Sequence, residues 1–511
     1  MFKESSKASQ PDLFGSFDFN LDEARVEELN DESAWFNQFL QNVTLQLDEK
    51  HFEVLYSGKM GRTNASIRVL LAMMALKAGF GWSDAQLYDQ VKFNLQVMRA
   101  VGFVNLNDRA PVPSTYYLFK HSVYQYHIEH GKDLIEEAFK KLTKSQLEFF
   151  DVDGSKIRMD SKLIGSNIVQ CSRLQLIISC LREFWKSLEA PQRNQLQEED
   201  RKMLIALSEK KPHRIVFSLS EKGKAQKLSE LGYLLFRLQE LYNDDDSDQY
   251  FLIDRLLSEQ YQVDEKEVLL KEGKDISANS LQSAFDPDAS YRKKGDQSVK
   301  GYSVNITETC NQEDLNLVTD VQVEAATIAD KDFAQTACKN TTEVVGTLKE
   351  IYMDGAYQAE DTFDAETTEA TKQYYTGIAG KKGKYEYKLT EMGLGVLNTE
   401  TGELIKASEY KADHYKFLLP NGKWRYIRPK DLESYNRRMK TESLPVEIKN
   451  RRNNVEASIF QLSYHTRNNK TRYRGRFRTK MWALSRAIWM NSVRITRYLT
   501  EGGINPQAVP A

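Results

Sequence analysis

At 511 residues with 41% apolar and 11% aromatic side chains, the chain is long and hydrophobic enough for several packed units, which excludes wholesale disorder. Its 71 Lys and Arg against 73 Asp and Glu leave a net charge of −2, which excludes a uniformly basic nucleic-acid coat. The charge is segregated instead: from residue 421 to 500 twenty Lys and Arg stand against five Asp and Glu, the footprint of a phosphate-binding surface, whereas Asn243-Asp-Asp-Asp-Ser-Asp248 marks an acidic middle.

Residues 1–30 are polar and acidic, and their apolar residues Leu13, Phe14, Phe17 and Phe19 follow no sustained period, so a mobile or partner-ordered segment is expected. Residues 31–150 pattern as helices. Ile67, Leu70, Leu71, Met74, Ala75 and Ala78 recur at three- and four-residue intervals, Ser83 opens a segment with Leu87 and Val91 on one face, and Pro111 and Pro113 break the chain before Ser114 caps a third helix. A helical N-terminal domain of this kind binds DNA ends, docks a partner subunit or is a plain bundle, and its sequence leaves the three open.

The period changes in residues 151–166. Ile157, Met159 and Leu163 alternate with Lys156, Arg158, Asp160 and Lys162, which predicts a strand that presents Asp160 together with the basic residues. Residues 167–280 return to helical stripes, Leu174, Ile177, Ile178, Leu181 and Phe184 in one and Leu231, Leu234, Leu235, Leu238 and Leu241 in another. They form a helical insertion without a catalytic cluster, in which His213 lacks partners for a metal site and reads as surface.

In residues 281–381 a polar link over 286–295 leads to strands over 299–307 and 317–326, paired across 310–316. A helix over 332–349 follows, then a strand over 350–357 that exposes Asp354 beside Gly355, then a short strand over 376–380. Residues 382–445 read as inserted β-hairpins, and residues 446–511 as helices around 447–464 and 479–499. The whole is an α/β chain, a mixed sheet flanked by helices and interrupted by one helical and one β-rich insertion. Cys171, Cys180, Cys310 and Cys338 have neither zinc spacing nor a disulfide framework, no signal-peptide pattern follows Met1, and no stretch reaches the roughly twenty apolar residues of a membrane span. A soluble protein of a reducing cytoplasm, without membrane partners, is expected.

Asp160, Asp354 and Glu456 lie on two predicted strands and one predicted helix, an arrangement that lets carboxylates converge on a pair of divalent ions. Mg²⁺ takes hard oxygen ligands, and two such ions activate an attacking oxygen on one side of a phosphodiester while stabilising the leaving oxygen on the other. Asp160 would bridge the ions, Asp354 serving one and Glu456 the other. Arg452, Glu456, Ser463 and Arg467 share one helical stripe, and Val455, Ile459 and Leu462 share another that packs on the sheet. Any one acid alone is an exposed charge, so the case rests on the three together.

Downstream, Arg472-Tyr-Arg-Gly-Arg-Phe-Arg478 interleaves guanidinium groups with aromatic rings, a pattern suited to phosphate contact and base stacking. Arg472, Arg474, Arg476 and Arg478 are therefore expected DNA contacts, with Lys162, Arg452, Arg467 and Lys470 nearer the acids. Trp424, on a predicted hairpin, either packs or stacks on a flipped base, while Trp482 and Trp489 at helical spacing read as core.

Taken together, Arg158-Met-Asp-Ser-Lys-Leu-Ile-Gly-Ser-Asn167, Lys300-Gly-Tyr-Ser-Val-Asn305, Met353-Asp-Gly-Ala-Tyr357 and the Arg452/Glu456 pair resemble bacterial insertion-sequence transposases of the DDE type. The resemblance covers nearly the whole chain, and Gly61-Arg-Thr-Asn-Ala65 is similar to their N-terminal helical region. It implies a ribonuclease-H-like core related to retroviral integrases and two Mg²⁺ ions, replaceable by Mn²⁺. It also implies cleavage of element ends by water, joining of the freed 3′-hydroxyl to target DNA, and a homodimer on the terminal inverted repeats in a bacterial nucleoid. Members often carry Tyr-x2-Arg-x3-Glu-x6-Lys at the third acid. Here Lys449 stands at the Tyr position and Ser463 at the Lys position, so Arg467 or Lys470 is the expected source of that charge. Two other readings stay open: a DNA-binding relic of such an enzyme, and a metal-dependent nuclease without strand transfer.

Overall fold

Side-chain caps start structure earlier than the apolar period suggests. Ser16 and Asp22 accept backbone N–H groups at the heads of α1 (Phe17–Asn20) and α2 (Glu23–Asn30), and Phe17 and Leu29 are buried. The segment expected to be mobile is thus built in from Phe17 onward, since helices of one or two turns are too short to display a period. The computed structural model describes the chain except residues 6–10, 13, 59–61, 313, 360, 377–383, 391–392, 412–413, 420 and 503–511. Gly61 of the N-terminal motif and most of the strand expected over 376–380 fall outside the described residues.

Six helices follow: α3 (Trp35–Asn42), α4 (Ile67–Phe80), α5 (Asp84–Phe93), α6 (Leu95–Ala100), α7 (Pro113–His130) and α8 (Leu134–Phe149). Ser83 forms a capping box with Gln86 at α5. At α7 the expected cap is corrected: Val112 is the boundary residue and Pro113 takes the first helical position, where a missing N–H costs nothing, so Ser114 lies inside the helix.

Strand β1 (Lys156–Gly165) leads into α9 (Arg173–Ser187), α10 (Ala190–Gln195), α11 (Glu198–Glu209), α12 (Pro212–Phe217), α13 (Glu221–Leu241) and α14 (Asp248–Gln260). A hairpin of β2 (Tyr261–Asp264) and β3 (Glu267–Leu270) closes this section, which buries its own apolar core around Ile177, Phe184, Leu234 and Leu238. The chain then returns through β4 (Ser290–Lys294), β5 (Gln297–Thr309), β6 (Val318–Ala325), α15 (Lys331–Val345), β7 (Glu350–Met353), α16 (Ala365–Ala370) and β8 (Lys372–Tyr375).

These strands form one mixed sheet in the order β4–β5–β1–β7–β8, with β6 also on β5. β5 and β6 pair antiparallel, as do β1 and β5, whereas β1 with β7 and β7 with β8 are parallel. Gly165 faces Gly301 across β1 and β5, and a Cβ on Gly301 would stand 2.3 Å from the Ile164 carbonyl oxygen. The Lys300-Gly-Tyr motif is therefore a point of close backbone approach.

Two small sheets come next, β9 (Tyr385–Thr390), β10 (Gly393–Asn398) and β11 (Leu404–Lys406) in one, β12 (Ser408–Glu409), β13 (Tyr415–Leu418) and β14 (Trp424–Ile427) in the other. The chain ends in α17 (Pro429–Glu442), α18 (Val446–Arg451), α19 (Asn453–Ser463) and α20 (Arg476–Thr500). α15 packs Phe333 and Ala337 against Ile157, Met159 and Ile351 on one face of the large sheet. On the other face a single core joins Val304 and Ile306 of β5, Leu462 of α19, Leu484 and Ile488 of α20, and Leu70 and Met73 of α4. Arg486 ties the layers together, donating from Nη1 to the Ala78 carbonyl (2.9 Å) and from Nη2 to the Gln461 carbonyl (2.7 Å). It thus caps carbonyls in the last turns of α4 and α19. The N-terminal helices consequently share a core with the sheet.

Asp320 of β6 is buried beside α15, accepting from Asn340 Nδ2 (2.9 Å) and Gln322 Nε2 (2.8 Å). Burial, then the charge of Glu136, pushes its carboxyl up to about 6, with Lys480 opposing. A carboxyl raised in the folded state contributes stability that is full below its ordinary value near 3.8 and is lost as pH rises through about 6, a change of about 3 kcal/mol. Asp320→Asn should therefore flatten the dependence of melting temperature on pH between 4 and 6. An unchanged slope in thermal unfolding would refute this assignment.

The four cysteines are free thiols, and among the described residues no helix is long and apolar enough to cross a membrane.

Candidate active site

Adjacent parallel strands bring two of the acids side by side. Asp160 lies mid-way along β1, and Asp354 follows the last residue of β7, the neighbour of β1. The strand expected over 350–357 stops at Met353 because Asp354 caps a short 3₁₀ turn, its Oδ1 accepting the Gly355 N–H (2.6 Å). Asp160 Oδ1 accepts the Ser161 N–H (2.9 Å). One oxygen of each carboxylate is thereby fixed by backbone, leaving each Oδ2 to face the same place.

Arg452 stands in that place. Its Nη2 is 3.0 Å from Asp160 Oδ2 and 3.9 Å from Asp354 Oδ2, and its Nη1 is 3.1 Å from Glu456 Oε1, one turn on in α19. Asp160 is the most enclosed of the three acids, with 17% of its side chain exposed against 41% for Asp354 and 63% for Glu456. Burial pushes the Asp160 carboxyl above the usual range, partly offset by Arg452. Burial alone would depress the Arg452 guanidinium, but Asp160 and Asp354 hold it above its ordinary value.

Among the described residues no three His, Cys, Asp or Glu side chains are grouped closely enough to hold an ion. The guanidinium holds the acids at ion-pair distance from itself instead of from a common point. Their chemistry nonetheless suits a divalent ion, being three hard oxygen donors from three elements directed at one positive charge.

α19 is pinned over the site by a buried network. Val455, Ile459 and Leu462 are buried as their stripe predicts. Glu308 of β5, fully buried, receives Arg158 Nε (2.6 Å), Arg494 Nη1 (2.9 Å) and Ser458 Oγ (2.6 Å), joining β1, α20 and α19. Arg158 Nη1 also donates to the Arg451 carbonyl (3.0 Å) at the end of α18, and Arg451 Nη1 donates to the Tyr352 hydroxyl (2.8 Å) of β7. Strand alternation puts Arg158 on the face of Asp160, where it is buried, because α19 lies across that face and Glu308 supplies its counter-charge. The break between α18 and α19 falls at Arg452 itself.

Residues 25–122 match the family model described as Transposase domain (DUF772). The matched segment is 98 of the 511 residues. The match supports a transposase role and a DNA-processing activity, and it spans the helices from α2 into α7 that pack on the sheet and α20. No curated protein and no solved structure matches the chain.

The other residues expected to contact DNA are distributed unevenly. Lys162, two residues beyond Asp160, donates from Nζ to Ser463 Oγ (2.7 Å), so the position where resembling proteins carry a helix lysine receives an ammonium from β1. Arg467 and Lys470 lie beyond the end of α19 instead of one or two turns further along it. α19 ends at Ser463, and the chain turns through Asn468 and Asn469 at φ 55 and 52, leaving Arg467 exposed off the helical stripe. Lys470 donates instead to the Ile168 carbonyl.

Arg472 is exposed, Arg474 donates to the Asn167 carbonyl (2.7 Å), Arg476 pairs with Glu324 (2.7 Å), and exposed Arg478 lies 6.0 Å from the Tyr124 ring. Trp424 is half exposed on β14 with Lys416 Nζ 4.8 Å from its ring, on an outer face of the second small sheet. Asp330, which accepts from Ser161 Oγ (2.6 Å), has no local sequence signal, whereas Tyr357 of the Met353–Tyr357 motif donates its hydroxyl to Asn305 Oδ1 (2.7 Å). That contact joins two of the motifs that carry the resemblance.

Proposed function

We propose that the chain is a DNA transposase of an insertion sequence that cuts element ends and joins their 3′-hydroxyls to target DNA. In this reading Asp160, Asp354 and Glu456 are ligands of two Mg²⁺ ions, for which Mn²⁺ can substitute. The observation that carries it is the single guanidinium of Arg452 in ion-pair contact with all three carboxylates. Three acids from separate elements repel one another unless a cation lies between them. The antiparallel run β6–β5–β1 followed by parallel β7 and β8, with an acid mid-way along β1, another at the end of β7 and a third on a covering helix, supports a ribonuclease-H-like core.

Bound to these oxygens, the ions would activate the attacking oxygen and stabilise the leaving oxygen of an in-line displacement at phosphorus. The protein's own groups do the positioning. Backbone N–H groups orient Asp160 and Asp354, and the Glu308 network holds α19, and with it Glu456, against β1. Lys162 and Arg452 supply positive charge for the scissile phosphate, the Arg472–Arg478 run contacts the DNA backbone, and Trp424 stacks on an unpaired base. DNA is the partner, with two copies of the chain on a pair of terminal inverted repeats, in the cytoplasm at the nucleoid.

The test is incubation of the protein with labelled duplexes from both flanks of its gene, with Mg²⁺ or Mn²⁺, followed by separation of cut and joined products. Cutting and joining support the reading. Cutting alone makes it a nuclease, and binding without either reaction makes it a DNA-binding relic.

A further inference from the structure

Away from the acids, a second cationic cluster lines a narrow open pocket between the matched domain and the C-terminal helix. Lys77 of α4, Lys120 of α7 and Arg478 of α20 surround it, with Tyr116, Tyr473 and Trp482 in its wall. The ammonium groups of Lys77 and Lys120 lie 5.6 and 5.7 Å from the Tyr473 ring centroid, and Lys120 lies 5.1 Å from that of Tyr116. Lys77 pairs with Asp84 at 2.5 Å. Neither Lys120 nor Arg478 has a carboxylate at ion-pair distance among the described residues.

Three cations thus share one acid around an opening. Burial, then the charge of Lys77, pushes the Lys120 ammonium down to about 8, with Arg478 adding to the repulsion and Asp84 opposing it. Ring faces relieve part of that cost, yet a largely buried ammonium facing two other cations is stabilised far more by an anion than by aromatic rings. The pocket opens on one side, and Arg478 at its rim is exposed.

Its position selects the anion. Tyr473 belongs to the arginine-rich loop, whose Thr471 N–H donates to the Gly165 carbonyl (2.9 Å) at the end of β1 and whose Tyr473 carbonyl accepts from the Asn167 N–H (2.9 Å). Asp160 lies five residues back along the same strand, roughly 17 Å at the rise of an extended chain. The pocket lies beyond that span, past the loop, and the exposed Arg472 lies in the same loop.

We propose that one backbone phosphate of the bound DNA end sits at the mouth of this pocket, its anionic oxygen directed in among Lys120, Lys77 and Arg478. This rests on the transposition reading. A phosphate there couples the matched N-terminal helices to the strand carrying Asp160, so one DNA end is gripped by both.

The test is fluorescence anisotropy of a short labelled duplex from the gene's flank, at several salt concentrations, with the intact chain, Lys120→Gln, Arg478→Gln and Lys120→Arg. Each glutamine variant should bind roughly five- to tenfold more weakly and lose about one unit of salt slope, and Lys120→Arg should retain binding. Scanning a single neutral methylphosphonate linkage along the strand should find one position that weakens binding to the intact chain and has no effect on Lys120→Gln. If both glutamine variants melt like the intact protein and keep its affinity and salt slope, the pocket is a structural cluster and the proposal is wrong. If the intact protein binds no duplex at all, the transposition reading falls with it.

Discussion

Glu308→Ala is expected to destabilise the protein by about 3–5 kcal/mol, read as a lower midpoint in denaturant unfolding followed by circular dichroism. The carboxylate is fully buried and is the common acceptor for Arg158, Arg494 and Ser458. Truncation leaves two guanidinium groups, 5% and 19% exposed, without their counter-charge, and the desolvation already spent on them is no longer repaid. Burial alone would raise the Glu308 carboxyl, but Arg494 and Arg158 hold it below the ordinary range. A depressed carboxyl contributes stability that is present above its ordinary value near 4.5 and is lost as pH falls through its folded value. The intact chain should therefore lose more stability on acidification than Glu308→Ala does. A loss under about 1 kcal/mol, with unchanged acid sensitivity, would mean that α19 is held by its apolar stripe alone.

That network marks the boundary of what the sequence reveals. Alternation identifies β1 as a strand, and helical spacing identifies Val455, Ile459 and Leu462 as the buried stripe of α19, because both patterns are local and burial follows them directly. The same alternation assigns Arg158 to the face of Asp160 and does not show what covers it there. Its real surroundings are set by Glu308, 150 residues away, and by a helix from the far end of the chain, and no short-range pattern encodes such a pairing. Lys162 and Ser463 show the same limit: read separately they are a basic strand residue and a missing lysine, and only the packing of α19 on β1 joins them. The turn that removes Arg467 from the helix was readable, since adjacent asparagines tolerate the left-handed region. The helices at 17–30 were readable only through their caps, Ser16 and Asp22, because their apolar residues are too few to establish a face.

Asp160→Asn, Asp354→Asn and Glu456→Gln should each lower DNA cutting and joining by at least about a thousandfold while leaving duplex binding within a fewfold of the intact chain. Asp160 should be the most severe, being the most enclosed of the three and the closest to Arg452 after backbone N–H groups have fixed its other oxygen. Loss of one carboxylate also loosens the hold on Arg452, and a second variant isolates that hold from catalysis. Arg452→Ala removes the only cation among the acids that the described residues provide, so its melting temperature should fall without divalent ions and recover on addition of Mg²⁺ or Mn²⁺. The intact chain, in which the guanidinium already offsets one of the three negative charges, should respond less to the same ions. Both measurements are thermal melts and need no DNA, so they report on the cation site even if the correct duplex has not been supplied. An Arg452→Ala variant that melts identically with and without either ion would mean that the three carboxylates do not form a cation site, and the loss of activity in their variants would then need another cause.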